Sequence, residues 1–261
     1  MTVSLSQVVS ELTGLLHPEQ FKDYCPNGLQ VEGKSQISKM VLGVTACQAL
    51  IDKAIVAGAD AILVHHGYFW RGEDESLVGM KMNRIKTLIE HDISLLAYHL
   101  PLDAHPLYGN NAQLGELLGF SVSGDIGKQN NHPIGLLGST PEPVSPQALS
   151  ALIKQKLNRE PLVISPDSHN GDSAAEECIS KVAWCTGAAQ NYIELAIKAG
   201  ADAYISGEIS EPTVHIAREA GIHYFAAGHH ATERYGVQAV GEWLRKRHEL
   251  RVEFIDIDNP V

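Results

Sequence analysis

The chain has 261 residues, 44% of them hydrophobic, and a net charge of −11. That length suits one large or two small α/β domains, and the composition excludes a disordered chain. The charge argues against broad electrostatic binding to nucleic acid or to an anionic membrane, and no apolar run approaches the length of a bilayer span.

The N-terminal stretch MTVSLSQVVSELTGLL lacks a charged leader region and a continuous apolar core, so it does not read as a signal peptide. Leu5, Val8, Val9, Leu12, Leu15 and Leu16 fall on one side of a helix. NGLQVEG follows at 27–33, where Asn27–Gly28 is a strong turn dipeptide. KMVLGV (39–44) reads as a strand, the next segment as a helix ended by Gly58, and AILV (61–64) as a buried strand that stops at His65 and His66. The helical pattern MNRIKTLIEHD then leads to a third apolar strand, followed by His99 and Asp103. In the middle of the chain, SPQALSALIKQKL reads as a helix with Ser145 at the N-cap and Pro146 in its first turn. The polar stretch 165–177 reads as a mobile loop. Beyond it come the strand SKVAWC (180–185), a helix ended by Gly200, the strand AYIS (203–206) with Glu208 after it, and the helix EPTVHIAREAG. FAAGHHATERY carries His229 and Glu233; a helix over about 232–248 and a terminal strand RVEFIDI complete the chain.

Two segments of this chain are alike. AIVAGADAILV (54–64) matches AIKAGADAYIS (196–206), 142 positions later. A strand precedes each copy and a strand closes it, which makes each a βαβ unit in a largely parallel sheet. LLAYHLPLDAH (95–105) aligns with FAAGHHATERY (225–235), placing His99 over His229 and Asp103 over Glu233. The expected fold is α/β with two similar duplicated lobes, residues 1–128 and 129–261, the chain being free to cross between them.

In open parallel sheets, ligands bind outside the carboxyl ends of the strands. His65, His66, His99, Asp103, Glu208, His229 and Glu233 all fall at such ends. Imidazole suits Zn, Fe, Ni and Cu, and carboxylate can bridge ions and suits Mn and Mg. Three histidines and two acids would serve two ions in a cleft between the lobes. His229 and Glu233 are four apart and point one way if the turn between them is helical. His17, His91, His132, His169, His223 and His248 read as surface or satisfied polar groups. Cys25, Cys47, Cys178 and Cys185 form no CxxC pair and read as buried reduced thiols of a cytoplasmic protein.

NGLQVEG, VHHGYFW (64–70), AYHLPLDAH (97–105), SGEISEPTVH (206–215) and AGHHATERYG (227–236) together resemble the motifs of the GTP cyclohydrolase 1 type 2 homologue family, the short bacterial branch of the Nif-three-like proteins. The resemblance covers nearly the whole chain. It implies two α/β lobes, a di-metal centre between them and a toroidal homohexamer built as a trimer of dimers. The implied ligands are His65, His66, Asp103, His229 and Glu233, holding two divalent ions for which Zn, Fe, Mn and Ni are not distinguished. His99, Glu208 and His215 match positions that support the ligands or face substrate, and His99 and Glu208 are the expected proton carriers. The family name implies opening of the GTP imidazole ring by activated water at C8, with release of formate and formation of 7,8-dihydroneopterin triphosphate. Tyr68 or Trp70 would stack on a base. No P-loop is present. A phosphoesterase or amidohydrolase using the same ions, and a non-enzymatic metal-binding ring that docks partners, are the alternatives.

Overall fold

The computed structural model describes residues 2–129, 132–167 and 178–261. Most of the polar stretch expected as a mobile loop, with His169, lies outside the described residues. In chain order the first part comprises β1 (Val3–Ser4), α1 (Leu5–Leu16), β2 (Gly28–Val31), β3 (Gln36–Ile37), β4 (Lys39–Thr45), α2 (Gln48–Ala57), β5 (Ala61–His66), α3 (Gly79–Glu90), β6 (Ser94–Ala97) and α4 (Leu100–Ala104). Then come α5 (Asn110–Leu118), β7 (Ser121–Gln129), β8 (His132–Val144), α6 (Pro146–Leu157), β9 (Leu162–Ile164), β10 (Ile179–Cys185), α7 (Ile193–Lys198), β11 (Ala203–Ser206), α8 (Glu211–Ala220), β12 (His223–Ala226) and α9 (His229–Thr232). The chain closes with α10 (Arg234–His248) and β13 (Arg251–Phe254).

These elements form two compact units, Met1–Gly109 with Arg234–Asp258, and Asn110–Glu233 with Asn259–Val261. A single division at 128/129 does not describe them. It would cut β7 from β8, which pair as an antiparallel hairpin in one sheet. It would also detach β13 from β4, its parallel neighbour.

The first unit holds a five-stranded sheet in the order β13-β4-β5-β6-β2, parallel except for β2. Alternate residues of its strands feed two cores. Met40, Leu42, Ala61, Leu63 and Leu96 pack with α1 and α10. Val41, Ile62, Val64 and Leu95 pack with α2 and α3. Covering both faces is what lets a parallel strand read as an unbroken apolar run. Each of these fully buried Leu or Ile side chains contributes about 1.5–3 kcal/mol over its exposed state. The N-terminal helix forms as its pattern requires: Leu5, Val8, Leu12 and Leu16 are buried, and Ser4 Oγ accepts the Gln7 N–H at 3.2 Å. His248 is half-buried and faces Glu11 across 2.8 Å, tying α10 to α1.

The second unit holds a six-stranded mixed sheet in the order β7-β8-β10-β11-β12-β9. Only β10-β11-β12 is parallel; the hairpin β7-β8 and the edge strand β9 add antiparallel neighbours. The expected cap of α6 is present, with Ser145 Oγ accepting the Ala148 N–H at 3.1 Å.

The duplication is written in the ladders. Met40 pairs with Ala61 and Val182 with Ala203, and both pairs are related by the same 142 positions. Gly58 and Gly200 both adopt left-handed φ, at 68° and 69°. Asp60 Oδ2 accepts the N–H groups of Ser38 and Lys39 at 2.9 and 3.0 Å. Asp202 Oδ2 accepts those of Ser180 and Lys181 at 2.9 and 2.8 Å. Each aspartate thus fastens the entry of the first parallel strand to the entry of the second. The third strand corrects the expected alignment. Ala61 pairs with Ser94 and Ala203 with His223, so Ser94 corresponds to His223. His99 then corresponds to Gly228 and Asp103 to Thr232, one residue short of His229 and Glu233. The caps agree: Asp103 N–H bonds to His99 O at 3.1 Å and Thr232 N–H to Gly228 O at 3.0 Å. Matching by residue type slid the second copy by one, whereas backbone hydrogen bonds set register.

Burial opposes ionisation of Asp60, but Lys34, Ser38 and Lys39 outweigh it and hold the carboxyl at about 2, below its ordinary 3.8. The stabilisation from this depressed pKa is present above about pH 4 and is lost as pH falls through 2. Asp60→Ala should therefore lower the unfolding free energy by about 1.5–3 kcal/mol at pH 6, as expected for hydrogen bonds to a charged group. In urea titrations, the gap between wild type and variant should narrow as the pH approaches 2.

Candidate metal centre

His65 and His66 end β5, where the chain leaves the ladder at Gly67. Strict alternation would send the two rings to opposite faces, yet their centroids lie 4.5 Å apart. His65 is fully buried, and its Nδ1 lies 3.0 Å from Tyr98 O. A carbonyl only accepts, so Nδ1 carries the proton and Nε2 carries the lone pair. That Nε2 lies 3.4 Å from Asp103 Oδ1, which α4 presents in its single turn. His66 Nδ1 lies 3.2 Å from Thr45 Oγ1 on the neighbouring strand. His99 stands between β6 and α4, its ring centroid 5.0 Å from that of His65 and 5.8 Å from that of His66. These three imidazoles each offer a nitrogen within 4.8 Å of the others.

The support behind His99 has only a partial sequence signal. Asp23 Oδ1 lies 2.7 Å from His99 Nδ1, and Asn27 Oδ1 accepts the His99 N–H at 2.7 Å. Asn27 was visible as a turn residue of NGLQVEG; Asp23, with no motif around it, was not. Burial opposes ionisation of Asp23, but His99, Asn27 and the Tyr24 N–H hold its carboxyl below the usual carboxylate range. Trp70 meets His99 edge-on, centroids 5.0 Å apart, and its Nε1–H bonds to Gly67 O. Tyr68 is no stacking platform: it is buried, and its hydroxyl donates to Ala46 O at 2.8 Å. Cys25 is buried, and burial with the nearby Asp23 and Glu73 pushes its thiol up to about 12, which makes it a poor nucleophile. Cys178 is exposed rather than buried, and all four cysteines are free thiols.

The second unit builds its own pair. The short α9 places His229 Nε2 3.1 Å from Glu233 Oε2, while His229 Nδ1 lies 2.7 Å from Glu208 Oε1. Burial lowers the His229 pKa, but the flanking Glu233 and Glu208 prevail and raise it to about 9. The space around this imidazole is strongly disposed toward positive charge. His215, expected beside these groups, is exposed on α8 and pairs with Glu211 at 3.1 Å. Of the spare histidines, His17 and His91 are exposed, and His223 is buried within the sheet.

Glycines explain why the second unit does not repeat the first. Gly207 stands where the duplication would put a counterpart of His65. A Cβ on Gly207 would lie 2.7 Å from His229 Cα and 2.6 Å from Gly187 O. A Cβ on Gly187 would lie 2.2 Å from Glu233 Oε1. The volume of the absent side chains is taken by His229 and Glu233.

A two-unit α/β architecture with histidine–carboxylate groups at strand ends defines the class, and the comparisons assign the family. The Duf34/NIF3 (NGG1p interacting factor 3) model matches residues 3–260, and the chain belongs to that family. A Pseudomonas aeruginosa protein called GTP cyclohydrolase 1 type 2 homolog is 54% identical over 261 residues, covering 100% of both chains. Among solved structures, one described as protein ybgI of unknown function is 49% identical with a TM-score of 0.91, covering 99% of this chain and 100% of its own. TTHA1606 from Thermus thermophilus is 30% identical with a TM-score of 0.87, at 99% and 100% coverage. Among the described residues, no helix is long and apolar enough to cross a membrane.

Gly207→Ala should cost about 1–3 kcal/mol in denaturant unfolding, the range for overpacking, because backbone rather than a flexible side-chain tip must move. Gly14→Ala makes the contrast. Gly14 lies inside α1 with nothing within 4 Å of an added Cβ, so that variant should gain about 0.5–1 kcal/mol.

Proposed function

We propose that the protein is a metal-dependent hydrolase whose two divalent ions are held by His65, His66, Asp103, His229 and Glu233. One observation carries the proposal: each unit presents an imidazole Nε2 beside a carboxylate while Nδ1 of the same ring faces an acceptor. The pairs are His65 with Asp103 and His229 with Glu233, backed by Tyr98 O and Glu208. Metal-binding histidines are oriented in this way, since the outer acceptor fixes the tautomer and raises the basicity of the inner nitrogen. The donor set of imidazole and carboxylate fits Zn, Fe, Mn or Ni. When bound, such ions polarise a substrate and lower the cost of generating hydroxide near neutral pH.

The name carried by the Pseudomonas relative directs the substrate reading to GTP, with water added at C8 of the purine, formate released and 7,8-dihydroneopterin triphosphate formed after rearrangement. Within the first unit, His99 takes the proton from water or returns it to the opening ring, with Nδ1 held by Asp23 and Nε2 left to act. Trp70 stands edge-on to the His99 ring and walls one side of it. Glu208 orients His229 and is the second group able to carry a proton. Self-association as a six-subunit ring belongs to the same proposal. Exposed Leu77, Val78, Met80 and Met82, close together in the chain, supply apolar surface suited to it.

Metal analysis of protein purified without added metal should give two ions per chain. His65→Ala and Glu233→Ala should each lower that content sharply, while His91→Ala, on an exposed histidine, should leave it unchanged. Equal content in all three would refute the ligand set. His99→Ala should retain both ions yet release formate from GTP about 10²–10⁴-fold more slowly, the usual weight of a general acid or base. If neither GTP nor any phosphoester or amide in a substrate panel turns over with both ions loaded, the hydrolase reading falls.

A further inference from the structure

We infer that Asp23 is a positioning residue for His99: with Asn27 it forms a buried clasp that fixes which imidazole nitrogen carries the proton. The inference rests on the proposed role of His99 and assigns the group that makes that role work.

The clasp is built from backbone and side-chain bonds together. Asp23 has a side-chain exposure of 3%. Its Oδ1 takes the His99 Nδ1 bond at 2.7 Å and the Tyr24 N–H at 2.6 Å. Its Oδ2 accepts the Leu100 N–H at 2.9 Å and the Asn27 Nδ2–H at 2.8 Å. Asn27 acts in turn through Oδ1, which accepts the His99 N–H. Both the ring and the peptide of His99 are therefore held by residues some seventy positions earlier. A carboxylate only accepts, so Asp23 demands the proton on Nδ1 and leaves the lone pair on Nε2. Nε2 is the nitrogen that a general base needs, and the ring that carries it stands beside His65 and His66.

The clasp is itself secured. Arg71 donates from its guanidinium to Asp23 O at 2.9 Å and from its backbone N–H to Tyr24 O at 2.6 Å. Gln30 Oε1 accepts the Tyr68 N–H at 2.7 Å, and Gln30 Nε2 donates to Pro26 O at 2.8 Å. The loop after the His65–His66 strand and the Asp23–Asn27 turn are thus stitched into one piece. This gives a physical use to NGLQVEG beyond a turn.

Asp23→Asn tests the inference because four donors surround the carboxylate. An amide can accept at one end only, so its NH2 must face donors. Turned toward His99, the NH2 is relieved when the imidazole proton moves from Nδ1 to Nε2, which is the wrong tautomer for a base. The probe is ¹⁵N NMR of the full chain loaded with zinc, with the His99 signals assigned by their loss in His99→Ala. In the parent, Nδ1 should be the protonated nitrogen. In Asp23→Asn, Nε2 should be protonated while the zinc content stays at the parent value. A spectrum unchanged from the parent overturns the inference, and so does loss of zinc, which would make Asp23 a ligand in a set with Cys25 and His99.

Turnover supplies a second reading. Asp23→Asn should lower kcat on GTP by about 10²–10⁴-fold with little change in KM, the loss expected when a catalytic histidine is left in the wrong tautomer. In a His99→Ala background the same substitution should have no further effect on kcat; an additive loss would show a merely structural role. If Asp23→Asn fails to fold, Asp23→Ser replaces it: with no carboxylate on Nδ1, a mixture of His99 tautomers is expected, and a parent-like spectrum would refute the clasp. The NMR result stands whether or not GTP proves to be the substrate, so failure of the hydrolase reading and failure of the clasp are told apart.

Discussion

A parallel strand covered on both faces has no place for an unsatisfied polar side chain along its length, and this constraint decides where each unit can carry polar groups. β4, β5 and β6, like β10, β11 and β12, are apolar through their middles and turn polar only where the ladders end. Burial of a charged or polar group is costly unless it is matched by hydrogen bonds or opposite charge. The strand ends meet that condition. At the amino ends, Asp60 and Asp202 collect backbone N–H groups. At the carboxyl ends, His65 finds Tyr98 O, and His229 finds Glu208. The entry end of each layer gathers backbone N–H groups on an aspartate, and the exit end gathers imidazoles and carboxylates.

The two copies diverged at the exit end while the entry end stayed alike. The aspartate clamps superimpose in sequence because they serve the backbone, whose geometry the two layers share. The side chains at the exits serve different partners. Gly207 takes the place that His65 has in the other copy, and the room it leaves admits the His229–Glu233 turn. The equivalence of His66 and Glu208 shows the same divergence: one copy keeps an imidazole, the other a carboxylate that holds an imidazole from the next strand. Duplication followed by this exchange of bulk for space accounts for the different polar sets at the two exits.

Much of the fold was legible in the residues. The three-strand layers, the amphipathic N-terminal helix, the Ser145 cap and the repeat all derive from periodicity, capping chemistry and internal likeness. The seven polar residues at strand ends were legible too, because a histidine or acid after an apolar run breaks a pattern. The alignment of His99 with His229 failed because it compared side chains, and ladders are read from backbone. The β7-β8 hairpin went unseen because its strands are rich in Gly and polar residues and mark no clear alternation. Asp23 escaped because nothing near it in sequence marks it; its meaning is a bond to a residue 76 positions away.

By itself, then, the sequence determined the duplicated α/β plan and the residue types at the strand ends, since these depend on local propensity and on patterns repeated within the chain; the family was legible only as a likeness of motifs, which the match over residues 3–260 bears out. Tertiary structure alone decided which nitrogen of each imidazole faces inward, that Tyr68 is a strut, that His248 braces a helix pair, and that α10 and β13 belong with the first unit. Each of these depends on hydrogen bonds or strand pairing between residues far apart in the chain, and no local pattern encodes the direction in which a side chain meets a distant partner.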